Sequence, residues 1–205
     1  MEPVFGVAYE RPITRLREFL TALRSLLVTG EADVRGETLT ASPPMPTAVP
    51  GADPPPPVFV AAMGPRALRV TGELAHGTLP FLAGPRTLGE HIVPEITTVA
   101  ERAGRPAPRV VAFVSGVVTD DVDAARAAAA RQSAFYDTVP SYRRVIELEG
   151  AAKAADLVEI GDEKVIAAAV RRYFDAGATE VVFGATELAG EAARLRTWNL
   201  LGELA

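Results

Sequence analysis

Three short stretches of this 205-residue chain place glycine where an apolar run stops: Ala62-Met63-Gly64-Pro65, Leu82-Ala83-Gly84-Pro85 and Phe183-Gly184-Ala185-Thr186. Glycine lets a backbone come close to a bound group. Proline suits the first turn of a helix, where its missing N–H costs nothing. The free amides of such a helix start suit an anion. One reading is a cradle for the phosphate of a cofactor; the other is a tight strand-to-helix connection and nothing more. Spacing alone leaves both open, and no G-x-G-x-x-G or Walker pattern is present.

Other reactive residue types are sparse. His76 stands in Leu74-Ala75-His76-Gly77, where a helix ends and a cation complements the helix dipole. His91, in Leu88-Gly89-Glu90-His91-Ile92, has no second histidine four residues on to make a metal pair. Asp162-Glu163 after Gly161 reads as a helix cap with a favourable first-turn charge rather than an acid/base pair. There is no G-x-S-x-G elbow for a serine nucleophile. Without cysteine, the chain has neither disulfides nor thiolate metal ligands. The net charge of −5, with arginines single or in pairs, argues against a nucleic-acid partner. No apolar run approaches the roughly 20 residues of a membrane span, and the amino terminus does not read as a signal peptide. A cytoplasmic location and a small-molecule partner are the expectations.

The elements that must position these turns follow from periodicity. Apolar spacing predicts helices over 12–27, 65–75, 87–103, 121–136, 141–149, 162–176 and 187–204. Short apolar runs predict strands over 58–63, 78–82, 110–118 and 180–183. Residues 32–40 alternate around Gly36 as a short hairpin or an extended excursion. Eight prolines between Ser42 and Pro57 mark 42–57 as a surface loop within one domain, 1–205, rather than a linker. Near-continuous apolar strands, each followed by a helix, make a parallel α/β fold. An open doubly wound sheet and a closed barrel both satisfy that order, and both gather ligands at the carboxyl ends of the strands.

The chain also resembles a known family. Tyr9-Glu10-Arg11-Pro12, Gly36-Glu37-Thr38-Leu39, Val58-Phe59-Val60-Ala61-Ala62-Met63-Gly64-Pro65, Gly72-Glu73-Leu74-Ala75-His76-Gly77-Thr78 and Ala83-Gly84-Pro85-Arg86-Thr87 come in the order seen in luciferase-like monooxygenases. The nearest branch is the coenzyme F420-dependent oxidoreductases. The likeness runs from about Val4 to the C-terminus and is most specific from Val58 to Thr87. It implies a (β/α)8 barrel, of which this chain supplies about the C-terminal four βα units and a preceding helix. It implies an oxidoreductase that moves hydride between F420, or alternatively FMN, and a small organic substrate. It also implies a cofactor-binding set of Ala62, Met63, Gly64, Pro65, Leu82, Ala83 and Gly84 at the phosphate end, and assigns no catalytic residue. Family members have a further stretch ahead of the matching region that supplies the first strands. The expectation is therefore a partial barrel, truncated or with a misassigned start. Its open edges would be covered by a second copy, or it would persist as a silent partner-binding domain.

Overall fold

The computed structural model describes residues 6, 10–48, 50, 51, 53–185 and 187–205. Helix α1, Pro12–Thr29, opens on Pro12 and closes at Gly30, whose left-handed φ of 74° lets its N–H reach the Leu26 carbonyl at 2.9 Å. A two-residue hairpin follows, β1 Val34–Arg35 against β2 Thr40–Ala41, antiparallel as Gly36 suggested. The Glu18 carboxylate of α1 holds its turn, accepting from the amides of Glu37 (2.7 Å) and Thr38 (2.9 Å) and from the Thr38 hydroxyl (2.6 Å). The described residues of the proline-rich stretch 42–57 form neither helix nor strand.

The body of the chain alternates strand and helix. In order it runs β3 Phe59–Val60, α2 Pro65–Leu74, β4 Gly77–Thr78, α3 Pro85–Thr87, a π-helical turn Leu88–Ile92, and α4 Val93–Arg102. Then come β5 Arg109–Val118, α5 Val122–Ser133, a 3-10 turn Tyr136–Thr138, and α6 Pro140–Glu149. A 3-10 turn Ala154–Leu157, β6 Glu159–Gly161, α7 Glu163–Asp175, β7 Glu180–Ala185 and α8 Gly190–Leu204 complete it. All pairings in this sheet are parallel. β5 is the hub: β7 runs along it from Val111 to Gly116, β4 meets its start and β6 its end. The sheet is not closed, and among the described residues β3, β6 and β7 each pair on one side only.

Two of the expected strands are shorter than their apolar runs. β3 and β4 share only the pairs Phe59↔Gly77 and Val60↔Thr78. After Val60 the ladder gives way to a local network. The Ala62 N–H turns back to the Val60 carbonyl at 2.7 Å, and the buried Thr78 hydroxyl donates toward the carbonyls of Val60 (3.0 Å) and Ala62 (2.9 Å). Strand β6 was not expected, because three residues following a 3-10 turn are too few to show a period.

One face of the sheet is dry. Val110, Ala112 and Val114 of β5 alternate inward against Leu68, Leu88, Ile92, Ile96 and Val145 from the helices. On the opposite face Phe113 and Ser115 are only half-buried, and Val182, paired with Phe113, is 44% exposed. Near the amino ends of the strands, Arg109 makes two 2.6 Å bonds to the Glu180 carboxylate and lies 4.7 Å from the centre of the Phe59 ring, tying β3, β5 and β7 together.

Candidate functional site

The two glycine-proline turns differ in what their amides meet. At the first, Gly64 is extended (φ −88°, ψ 151°) and Pro65 begins α2. A Cβ added to Gly64 would touch nothing within 4 Å, so the turn opens to space. The amides of Arg66 and Ala67 have no acceptor among the described residues. Ala62 is buried in the core, Met63 packs against it, and Pro65 is exposed. This turn borders a groove of about 490 Å³ that includes Met63, Pro65, Leu68, His91 and Arg144.

At the second turn an internal anion is already seated. The Glu149 carboxylate accepts from the amides of Arg86 (3.1 Å) and Thr87 (2.8 Å). A Cβ on Gly84 would lie 2.3 Å from the Glu149 Cδ, so only glycine allows this approach. Leu82, just before it, holds a left-handed φ of 57° that is uncommon for a non-glycine residue. The Thr87 hydroxyl is buried with no hydrogen-bond partner among the described residues. Ala62 and Ala83 belong to the same core cluster as Val145 of α6, but Met63 and Pro65 line one groove and Gly84 another. At the third turn Gly184 lies under the Phe113 ring, 2.8 Å from a would-be Cβ, and Thr186 lies outside the described residues.

Beside the second turn, just after β4 and against Phe113 and Ser115 of β5, lies a cavity of about 250 Å³. Leu82 and Ala83 line it, with Phe81, Phe113 and Tyr136 as aromatic walls and Ser115 and Ser133 as polar ones. Phe81 meets Tyr136 edge-on (5.1 Å) and Tyr142 likewise (5.6 Å), and lies tilted to Phe113 (5.7 Å). Tyr173 reaches the same cavity; burial first, then the nearby Glu159 and Glu149 carboxylates, push its phenol up from its ordinary value, so it stays protonated. This cavity was invisible in the sequence because its walls come from six segments spread from 81 to 188.

His76 is not the dipole-capping cation that its position suggested. Its ring Nδ1 accepts the Val58 N–H at 2.9 Å while its backbone N–H donates to the Val58 carbonyl at 2.8 Å. Burial and the positive charges of Arg105, Arg24 and Arg109 lower its pKa, which keeps it neutral. It splices the entry to β3 onto β4. His91 stands exposed on the π turn, and no group of three or more His, Asp or Glu able to hold a metal occurs among the described residues. Asp162 does cap α7, accepting from the Val165 amide at 2.9 Å. Glu163 beside it bonds Arg196, which lowers its pKa to about 2. Among the described residues no helix is long and apolar enough to cross a membrane.

A parallel sheet with helices on its dry face and open turns at its carboxyl ends is the architecture of the luciferase-like TIM barrels, here unclosed. The family model for luciferase-like monooxygenases matches residues 1–195, and the chain belongs to that family. An uncharacterized protein of Mycobacterium tuberculosis is 33% identical over 162 residues, 73% of this chain and 48% of that protein. The chain thus spans about half the length of the curated relatives it matches. Among solved structures, the coenzyme F420-dependent tetrahydromethanopterin reductase of Methanopyrus kandleri superposes with a TM-score of 0.71 at 21% identity, covering 94% of this chain and 62% of that one. A monooxygenase from Streptomyces bottropensis superposes with a TM-score of 0.68 at 16% identity, covering 98% of this chain and 63% of that one. These superpositions speak for the fold.

Proposed function

We propose that the chain forms the cofactor-phosphate side of a luciferase-like oxidoreductase that uses coenzyme F420, with FMN as the alternative, to move hydride to or from a small organic substrate. The observation that carries this reading is the Ala62–Pro65 turn, with room at Gly64 and two amides without acceptors at the start of α2. Those residues fit a phosphate. The Leu82–Gly84 turn fits one only when Glu149 leaves the amides of Arg86 and Thr87. The bound cofactor would supply the hydride chemistry itself. The chain's own residues would bind its anionic end and present the aromatic cavity to the substrate.

Cofactor fluorescence during titration with F420, and separately with FMN, tests the reading. The expected result is saturable binding of one of them, weakened about tenfold or more in Gly64→Val, about 1.4 kcal/mol or more. Gly64 has an ordinary extended backbone and open space beside it, so this variant keeps the fold and obstructs only the ligand. Binding of neither cofactor overturns the proposal. A second reading, a silent domain that works by binding a partner, is favoured by the two open sheet edges and the exposed Val182. Light scattering on the purified chain separates a defined assembly from an independent monomer.

A further inference from the structure

The aromatic cavity is unusual in what it lacks. None of its lining residues is Asp, Glu, Arg, Lys or His. A charged ligand entering it would shed water without meeting an opposite charge, a large uncompensated cost. Its polar side chains, by contrast, are left unused. Neither the Ser115 nor the Ser133 hydroxyl has a hydrogen-bond partner among the described residues, and Ser133 is 9% exposed. The Tyr173 hydroxyl likewise has none, on a side chain only 3% exposed. None of the three is among the fully buried atoms that lack a partner, so each hydroxyl keeps access to the cavity and is free to bond what enters it.

Size narrows the occupant. A dry cavity of about 150 Å³ holds a benzene ring, so 250 Å³ admits one ring with a substituent. The Phe81 ring already stands tilted to Phe113 and edge-on to Tyr136, a packing that another ring can join.

We propose that this cavity binds a small, uncharged, ring-sized organic molecule bearing one hydroxyl or carbonyl oxygen, held by the Ser115 and Ser133 hydroxyls against the Phe81, Phe113 and Tyr136 rings. That this molecule is the substrate of the oxidoreductase rests on the function proposed above; that the cavity binds it does not.

Calorimetry on the full chain without cofactor, using 4-methylphenol, toluene and benzoate at neutral pH, tests the inference. 4-Methylphenol binds most tightly, toluene about tenfold more weakly for want of the hydrogen bonds, and benzoate not measurably. In Ser115→Ala/Ser133→Ala the advantage of 4-methylphenol over toluene disappears while toluene binding is unchanged. In Ser133→Phe, if it folds by circular dichroism, both neutral probes lose binding; the double alanine variant decides the matter if it does not fold. Failure of the neutral probes to bind, benzoate binding as tightly as 4-methylphenol, or an advantage that survives in the double variant overturns the inference. Cofactor binding without probe binding sinks this inference alone, and probe binding without cofactor binding sinks the oxidoreductase reading alone.

Discussion

Glu149 reaches from the last residue of α6 to the amides of Arg86 and Thr87, doing for that helix start what an N-cap side chain does from next door. Replacing it with alanine strips two amides of their acceptor, a loss of about 0.5–2 kcal/mol by analogy with removed caps. The expected outcome for Glu149→Ala is a lower melting temperature that rising sulfate partly restores, beyond sulfate's general effect on the native protein. An identical sulfate response in both proteins counts against the seat. His76 gives a pH prediction. Its pKa is lowered in the folded state, so between that value and the unfolded value of about 6.5 the unfolded chain binds more protons. Stability is therefore full above about pH 6.5 and falls as pH drops toward the lowered native value. His76→Asn keeps an oxygen acceptor for the Val58 amide but cannot titrate. Melting curves at pH 7.5 and 5 should show a smaller acid loss for His76→Asn than for the native chain.

At the scale of elements, β5 is the most crowded strand, and Gly116 marks its tightest point. A Cβ there would stand 2.5 Å from the Glu159 carbonyl of β6 and 2.6 Å from the Phe183 ring of β7. Gly116→Ala forces the strands apart, and an overpacking cost of about 1–3 kcal/mol is expected in denaturant unfolding. A midpoint unchanged from the native chain refutes that account. What the sequence revealed at this scale was local physics. Pro12 and Gly30 bracket α1, Asp162 caps α7, and the apolar runs of β5 and β7 match their ladders, because caps, stops and periods act within a few residues. What stayed hidden depends on distant partners. Nothing near Gly84 announces Glu149, 65 positions on, and nothing near His76 tells that its ring accepts from Val58. The same locality explains the overlong β3 and β4. Their apolar runs continue past Val60 and Thr78, but after the Leu79 N–H has donated to the Val60 carbonyl the Ala62 N–H turns back to that same carbonyl and the Ala62 carbonyl faces the Thr78 hydroxyl, so the ladder goes no further.

For the whole molecule, the question is what meets the two open edges. The long-range frame of the sheet is four parallel strands, β3, β4, β5 and β7, with β6 alongside the end of β5. Eight such strands close a barrel. Because all strands point the same way and β3 and β7 lie at opposite margins, a two-fold axis along the strands brings β3 of one copy beside β7 of the other, twice, leaving only the short outer side of β6 unpaired. In that proposed dimer Val182 moves from 44% exposed to the interior of the closed sheet. Val182→Lys tests the arrangement without attacking the single chain. At an exposed position it should change monomer stability within about 0.5 kcal/mol, whereas a lysine inside a closed barrel lacks a partner and costs several kcal/mol. Light scattering across a dilution series should then give twice the chain mass for the native protein and the single-chain mass for Val182→Lys. A native protein that runs as a monodisperse monomer, or a Val182→Lys dimer as tight as the native one, refutes closure by a second copy.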